Sequence, residues 1–192
     1  MRRLRVHAKY NSRIIARVSA PPDRVDELLA QWAEQRPELD ISPLHVIARI
    51  ARLSHHLDRV VDSTLTQFDL KWWEIDVLGA LRRAGPPFRL SPGELSERLM
   101  VTSGTMTTRV DRLEKRGFVA REPSEHDRRS VVVSLSHDGR KAIDEAIVPH
   151  LANLVQALKP LSVARQQELV DALRIWLVAL EGDTPEALSS DD

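Results

Sequence analysis

The most constraining feature of this sequence is a run of start and stop signals between residues 91 and 135. Ser91-Pro92-Gly93-Glu94 predicts a helix start, with serine as N-cap, proline in the first turn and glutamate at the capping-box position. A polar turn around residues 101–103 separates this short helix from a second one, 104–116, which ends at Gly117. Two short helices joined by a tight turn predict a helix-turn-helix.

The segment that follows the second helix predicts a β-hairpin. Residues 118–121 and 130–135 are rich in valine, and the polar, charged residues 122–129 connect them. A hairpin directly after two such helices predicts a winged helix-turn-helix. Because the rest of the chain has a helical pattern, the fold class is mainly α (α+β), a winged helix-turn-helix with N- and C-terminal dimerisation helices.

Amphipathic helices are predicted on both sides of this module. On the N-terminal side they cover about 23–36, 42–66 and 71–84, and on the C-terminal side apolar stripes continue to Leu180 with a break at Pro160. These stripes are longer than a compact module needs, so we expect part of them to meet a second subunit. The apolar sets predicted for the first and third helices are Val25, Leu28, Leu29, Trp32 and Trp72, Ile75, Leu78, Gly79, Leu81.

The balanced charge of the chain hides an uneven distribution. The 28 basic and 28 acidic residues cancel, but residues 1–20 carry six bases and no acid, and residues 181–192 carry five acids and no base. Residues 98–140 hold nine bases against six acids, a modest excess. The predicted divisions are a basic arm (1–20), N-terminal helices (21–68), a DNA-binding lobe (69–136), C-terminal dimerisation helices (137–181) and an acidic tail (182–192).

Several classes of function are disfavoured by what the sequence lacks. The chain has no cysteine, which excludes disulfides, thiolate zinc sites and thiol redox sensing. The common hydrolase, NTPase, zincin and dinucleotide signatures are absent. His55 and His56 point about 100° apart on a helix and cannot easily share a metal. We therefore expect no enzyme, no metal and no cofactor, and a cytoplasmic protein without a membrane span.

The second helix of the module has the composition of a helix that reads DNA. A major groove about 12 Å wide admits one helix, whose polar side chains reach bases and phosphates. The wing-tip arginines suit a narrow, electronegative minor groove. Winged helices also serve as protein-interaction modules without an operator, and that alternative stays open. The candidate DNA-binding residues are Thr102, Ser103, Thr105, Thr107, Thr108, Arg112, Asp127, Arg128 and Arg129.

An ordered set of motifs resembles the MarR family of bacterial transcriptional regulators. The resemblance implies a homodimer whose terminal helices interlock and a palindromic double-stranded operator, with two recognition helices in successive major grooves. It also implies that Arg129, in a wing motif with Asp127, contacts the minor groove. The motifs are Ser91–Leu95, Ser103–Thr107, Arg109–Gly117 and Asp127–Ser130.

Two further segments, Trp72–Gly85 and Trp32–Asp40, are similar to the urate-responsive, PecS-type branch of that family. The branch implies a ligand site of one Trp, one Asp and two Arg, which fall here on Trp32, Asp76, Arg109 and Arg121. Urate is a planar monoanion on which an indole can stack, while a guanidinium bonds its carbonyl edge. The resemblance thus implies a repressor that a small anion, urate or a related purine, releases from DNA; a phenolic or organic-acid ligand is the alternative.

Each of these four residues also has a purely structural interpretation. Trp32 can be a core residue of its own helix, and Asp76 can cap or pair at the surface. Arg109 can be a simple phosphate contact. Arg121 can pair with Glu122 or Glu125 in the hairpin.

Overall fold

The computed structural model describes residues 21–123 and 130–182, which form two compact units divided after Arg59. The basic arm and almost all of the acidic tail lie outside the described residues. The helices are α1 (Arg24–Gln35), α2 (Leu44–Leu65), α3 (Trp72–Arg83), α4 (Pro92–Arg98), α5 (Ser103–Lys115), α6 (His137–Leu158) and α7 (Val163–Gly182), with a 3-10 turn at Thr66–Phe68; the strands are β1 (Arg89–Leu90), β2 (Val119–Pro123) and β3 (Val131–Leu135).

The first unit is organised by the N-terminus of α1. The Asp23 carboxylate accepts a hydrogen bond from the Val25 amide at 2.7 Å, and the Asp26 carboxylate accepts one from the Asp23 amide at 2.8 Å. This capping box satisfies amides that an uncapped helix leaves open. Arg49 of α2 bonds both carboxylates, at 2.8 and 2.6 Å. A small core of Val25, Leu29 and Ile41 lies beside this network.

The apolar stripe predicted for α1 is only half buried. Val25 and Leu29 are inside, whereas Leu28 is 37% exposed and Trp32 is 43% exposed. The 3.6-residue period places four apolar side chains on one side of the helix, but the small core beneath it covers only two of them. The interpretation of Trp32 as a core residue is therefore wrong.

The second unit packs its main core around α3, which is buried along most of its circumference. Buried α3 residues include Ile75, Val77, Leu78 and Leu81, and Met106 and Leu113 of α5 join the same cluster. Trp72, predicted as an apolar core residue of this helix, is instead 45% exposed. It is the first residue of α3, where the helix projects beyond the core, and its ring contacts His150.

The winged helix-turn-helix is confirmed, including its caps. Ser91 caps α4 and exchanges capping-box hydrogen bonds with Glu94, as the sequence predicted. The sheet is antiparallel in the order β1-β3-β2. Strand β2 extends to Pro123, beyond the predicted end at residue 121, because Glu122 pairs with Val132 in the ladder. Strand β1 was not predicted, since two residues show no periodicity.

The two C-terminal helices carry a large apolar surface. No residue of α7 is buried among the described residues, although the helix is rich in leucine and valine. The exposed large apolar side chains of α6 and α7 include Val148, Leu151, Val155, Ile175, Leu177 and Leu180. Within the described part of the chain, no helix is both long and apolar enough to cross a membrane.

The junction between the wing and α6 requires a glycine at position 139. A Cβ atom there would lie 2.0 Å from the Phe118 carbonyl oxygen and 3.0 Å from Leu135 Cδ1. Phe118 precedes β2 and its carbonyl also accepts the Ser136 amide, so this backbone cannot easily move away. The close approach holds the start of α6 against both wing strands.

We expect Gly139→Ala to lower the free energy of unfolding by about 2–3 kcal/mol, because the new methyl group overlaps backbone atoms. Gly93→Ala is the matched control: in α4 the nearest atom to its Cβ is Ser91 Oγ at 3.8 Å, so alanine costs nothing and favours the helix. Urea unfolding of both variants measures the difference. Equal stabilities would show that the Phe118 contact does not constrain the fold.

Candidate ligand and DNA site

Helix α5, which the sequence predicts to read DNA, has one buried face and one exposed face. Its buried side chains are Met106, Val110 and Leu113. The six described candidates for DNA contact are all exposed: Thr102, Ser103, Thr105, Thr107, Thr108 and Arg112. The other three candidates, Asp127, Arg128 and Arg129, lie outside the described residues.

The hydroxyl protons on this face are not all available to DNA. Thr107 donates to the Ser103 carbonyl at 2.9 Å, and Thr108 donates to the Gly104 carbonyl at 3.1 Å. Thr102 caps the helix by accepting the Thr105 amide at 3.3 Å. Phosphate oxygens need donors, so Thr107 and Thr108 offer bases their lone pairs and methyl groups instead. Among the described candidates, Arg112 is then the side chain best suited to donate hydrogen bonds to phosphates.

Asp76 is a partly buried carboxylate on α3 with no direct hydrogen bond or ion pair among the described residues. Burial raises the pKa of its carboxyl above the ordinary value; the charges of Arg109 and Arg83 oppose that rise, and His150 opposes it least. A carboxylate surrounded by cationic groups but bonded to none of them has its acceptor positions open. A ligand N–H can fill them.

Arg109 lies on α5 but at the boundary between its two faces. Its side chain is partly buried, and its guanidinium lies 6.0 Å from the centre of the Trp73 ring. The charge of Arg109 acts on Asp76, so the structure brings these two predicted ligand residues together. A side chain of α5 is thereby coupled electrostatically to the α3 carboxylate.

Arg121 has a different set of partners. Its guanidinium bonds the Asp111 and Glu114 carboxylates of α5 at 2.5 and 2.6 Å, and its amide donates to Glu114 at 3.1 Å. The predicted pairing of Arg121 with Glu122 is wrong, because the Glu122 carboxylate bonds Arg89 and the Ser134 hydroxyl instead. The other predicted partner, Glu125, lies outside the described residues. Arg121 therefore ties β2 of the wing to α5.

Trp32 belongs to the first unit, whereas the other three predicted ligand residues belong to the second. Its side chain is 43% exposed, so the indole face is open to a partner or ligand.

Three residues near Asp76 were not predicted from the sequence: Arg83, Trp73 and His150. Trp73 and Arg83 lie on α3 itself, and helical spacing places Arg83 two turns after Asp76, a signal that was available. His150 comes from α6, far along the chain, and a lone histidine in an apolar stripe gives no local signal. Among the described residues, no group of three or more His, Cys, Asp or Glu could hold a metal ion.

The fold and the exposed polar face of α5 define a winged helix-turn-helix regulator. Residues 68–130 match the MarR family. The HTH-type transcriptional regulator PecS of Dickeya dadantii (strain 3937) is 37% identical over 145 residues, 76% of this chain and 87% of that protein. The chain belongs to the MarR family, a family of transcriptional regulators rather than enzymes.

Solved structures of the same family share the fold. A mutant of MarR from E. coli complexed with operator DNA matches with a TM-score of 0.63 and 24% identity, over 76% of this chain and 97% of that chain. BpsR of Bordetella bronchiseptica, whose DNA binding is regulated by 6-hydroxynicotinic acid, matches with a TM-score of 0.59 and 25% identity, over 68% of this chain and 91% of that chain.

We expect Asp76→Asn to raise the thermal unfolding midpoint at neutral pH. The raised pKa means that the folded state holds the Asp76 proton more tightly than the unfolded chain, so stability falls as the pH rises through the folded-state pKa. Asparagine removes that penalty, and the gain should disappear in acid, where Asp76 is protonated. The control is the same substitution at an exposed aspartate, Asp62→Asn, which should leave the midpoint unchanged. A destabilised Asp76→Asn would instead make this carboxylate a structural residue.

Proposed function

We propose that this chain is a repressor that binds a palindromic operator as a homodimer and leaves it when a planar anion binds. The best candidate anion is urate or a related purine. The observation that carries the proposal is the open Asp76 carboxylate beside Arg109, a guanidinium that belongs to the DNA-reading helix. A molecule that bonds both groups acts directly on the element that contacts DNA.

The chemistry of the pair selects a planar anion with polar edges. Asp76 can only accept hydrogen bonds at neutral pH, and Arg109 can only donate them. A ligand that satisfies both therefore needs a ring N–H or O–H on one edge and an anionic or carbonyl oxygen on another. The Trp73 ring against Arg109 supplies an aromatic wall. Urate has this pattern, and so does 6-hydroxynicotinic acid, the regulator of BpsR.

Release from DNA follows from the position of Arg109 on α5. Arg112 and the exposed threonines share this rigid helix with Arg109, so a ligand that draws Arg109 towards α3 moves them too. A coupling free energy of about 1–3 kcal/mol is enough to weaken operator binding between fivefold and about 150-fold. The resemblance also assigns Arg121 to the ligand; because Asp111 and Glu114 already hold that guanidinium, its recruitment would have to break the connection between wing and helix.

The homodimer is supported by the uncovered apolar surface of α6 and α7. Side chains such as Val155 and Ile175, which are 61% and 74% exposed, favour burial against a second copy. We propose residues 137–181 as dimerisation helices, residues 21–68 as N-terminal ligand-side and dimerisation helices, and residues 69–136 as the DNA-binding lobe. The twofold axis of the dimer then matches the palindrome. For Asp127, Arg128 and Arg129, the proposed wing contacts rest on the sequence alone.

Arg112→Ala is expected to weaken binding to a palindromic duplex from the gene's upstream region by about tenfold or more, and to lower the salt slope by about one. Arg165→Ala, an equally exposed arginine on α7, is the control. Titration should end at two chains per duplex. Binding no stronger than to random DNA would overturn the operator proposal in favour of a protein-interaction module, and equal affinities of the two variants would overturn the role of Arg112.

Urate is expected to release the wild-type protein from this duplex and to quench its tryptophan fluorescence. Trp32→Phe should reduce the quench, whereas Trp176→Phe, a matched loss of one indole on α7, should not. In parallel experiments, 6-hydroxynicotinic acid and salicylate replace urate, and release of the operator is measured for each. Release by salicylate without any response to urate would replace the purine with a phenolic ligand.

A further inference from the structure

Within residues 21–123 and 130–182, one buried side-chain polar atom has no hydrogen-bond partner: Nδ1 of His150. His150 is 5% exposed and lies on α6. Buried polar atoms are nearly always paired, so an unpaired one in an otherwise satisfied fold requires an explanation. The Glu74 carboxylate, which is also buried, shows the usual situation, with three hydrogen bonds from Lys71 and Arg116.

The surroundings of His150 are those of the Asp76 site. The Asp76 carboxylate is close enough for its charge to act on the imidazole. The ring of Trp72 lies against that of His150, with 5.9 Å between centroids and 46° between planes. Trp72 is 45% exposed, whereas the imidazole that it contacts is buried. Burial lowers the pKa of His150, and the charge of Asp76 opposes that shift.

We propose that Nδ1 of His150 forms a hydrogen bond with the ligand of the Asp76 site, so that the site selects planar anions carrying an additional ring hydroxyl, oxo or N–H group. This inference rests on the proposed function, because it concerns the same ligand. A neutral imidazole can donate or accept, whereas Asp76 only accepts and Arg109 only donates. His150 thus recognises a polar ring atom that neither charged group is suited to bind.

Such a site distinguishes ligands that differ in one polar atom. A site built around hydrogen bonds rejects an analogue that leaves a buried group unpaired. 6-Hydroxynicotinic acid and nicotinic acid differ in a single ring substituent and share the carboxylate. The wild-type protein is therefore expected to need about tenfold more nicotinic acid than 6-hydroxynicotinic acid for half-release of the operator.

The test compares three variants at position 150 with urate and with this matched pair of acids. His150→Asn keeps a polar atom near the Nδ1 position and should retain the urate response within about threefold. His150→Gln places its amide near the Nε2 position, and His150→Phe has no polar atom; both should weaken urate binding by tenfold or more. His150→Phe should also lose the preference for the hydroxylated acid. His137→Phe, at an exposed histidine of the same helix, is the control.

Release is scored for each variant as the ratio of operator affinities with and without ligand, and urate binding is measured directly by calorimetry. If His150→Phe does not fold, the comparison of His150→Asn with His150→Gln decides. A responsive wild-type protein together with equally responsive variants would overturn the role of His150 alone. A wild-type protein that binds none of the three probes would overturn the proposed ligand response, and this inference with it.

Discussion

The ion pair between the buried Glu74 and the more exposed Arg116 fixes the position of α5, the helix proposed to read DNA. Glu74, whose side chain is 3% exposed, accepts both the Lys71 amide of its own helix N-terminus and the Arg116 guanidinium. Arg116 ends α5, bonds the carbonyl and carboxylate of Asp69, and lies 4.7 Å from the centre of the Phe118 ring. Loss of Arg116 would leave the buried charge of Glu74 uncompensated, at a cost of about 3–5 kcal/mol. The C-terminal end of α5 is therefore anchored to the start of α3 and to the chain entering the wing.

Two charged contacts between α3 and α5 differ in kind. Glu74 and Arg116 form direct hydrogen bonds, whereas Asp76 and Arg109 interact electrostatically without a hydrogen bond. The first contact holds one end of α5. In the proposed mechanism the second changes when a charged molecule enters, so the movement is largest in the part of the helix that is farthest from Arg116. Because Arg121 bonds Asp111 and Glu114, β2 is tied to the same helix. The proposed allosteric element is thus α5 together with its wing, moving against a fixed end.

The sequence was sufficient where structure depends on neighbours along the chain. The Ser91–Glu94 capping box, the helix end at Gly117 and the wing hairpin are local signals, and each is where it was predicted. The resemblance to the MarR family also predicted that Asp76 and Arg109, which lie on different helices, are close together. Tertiary packing decided the rest: periodicity could not show that Trp72 projects beyond the core, or that His150 of α6 meets α3. Strand β1 exists only because β3 is there to pair with it.

The polar groups of the Asp76 site are unusual in this fold because they are left unpaired. Asp76 is partly buried without a direct partner among the described residues, and His150 Nδ1 is buried without one. Both reduce the stability of the ligand-free protein, since each has lost water and gained no hydrogen bond. A ligand that pairs them recovers that free energy on binding. In the proposed mechanism, its binding energy is largest for the conformation in which Arg109 is drawn to the site, and that preference would allow a small molecule to compete with DNA.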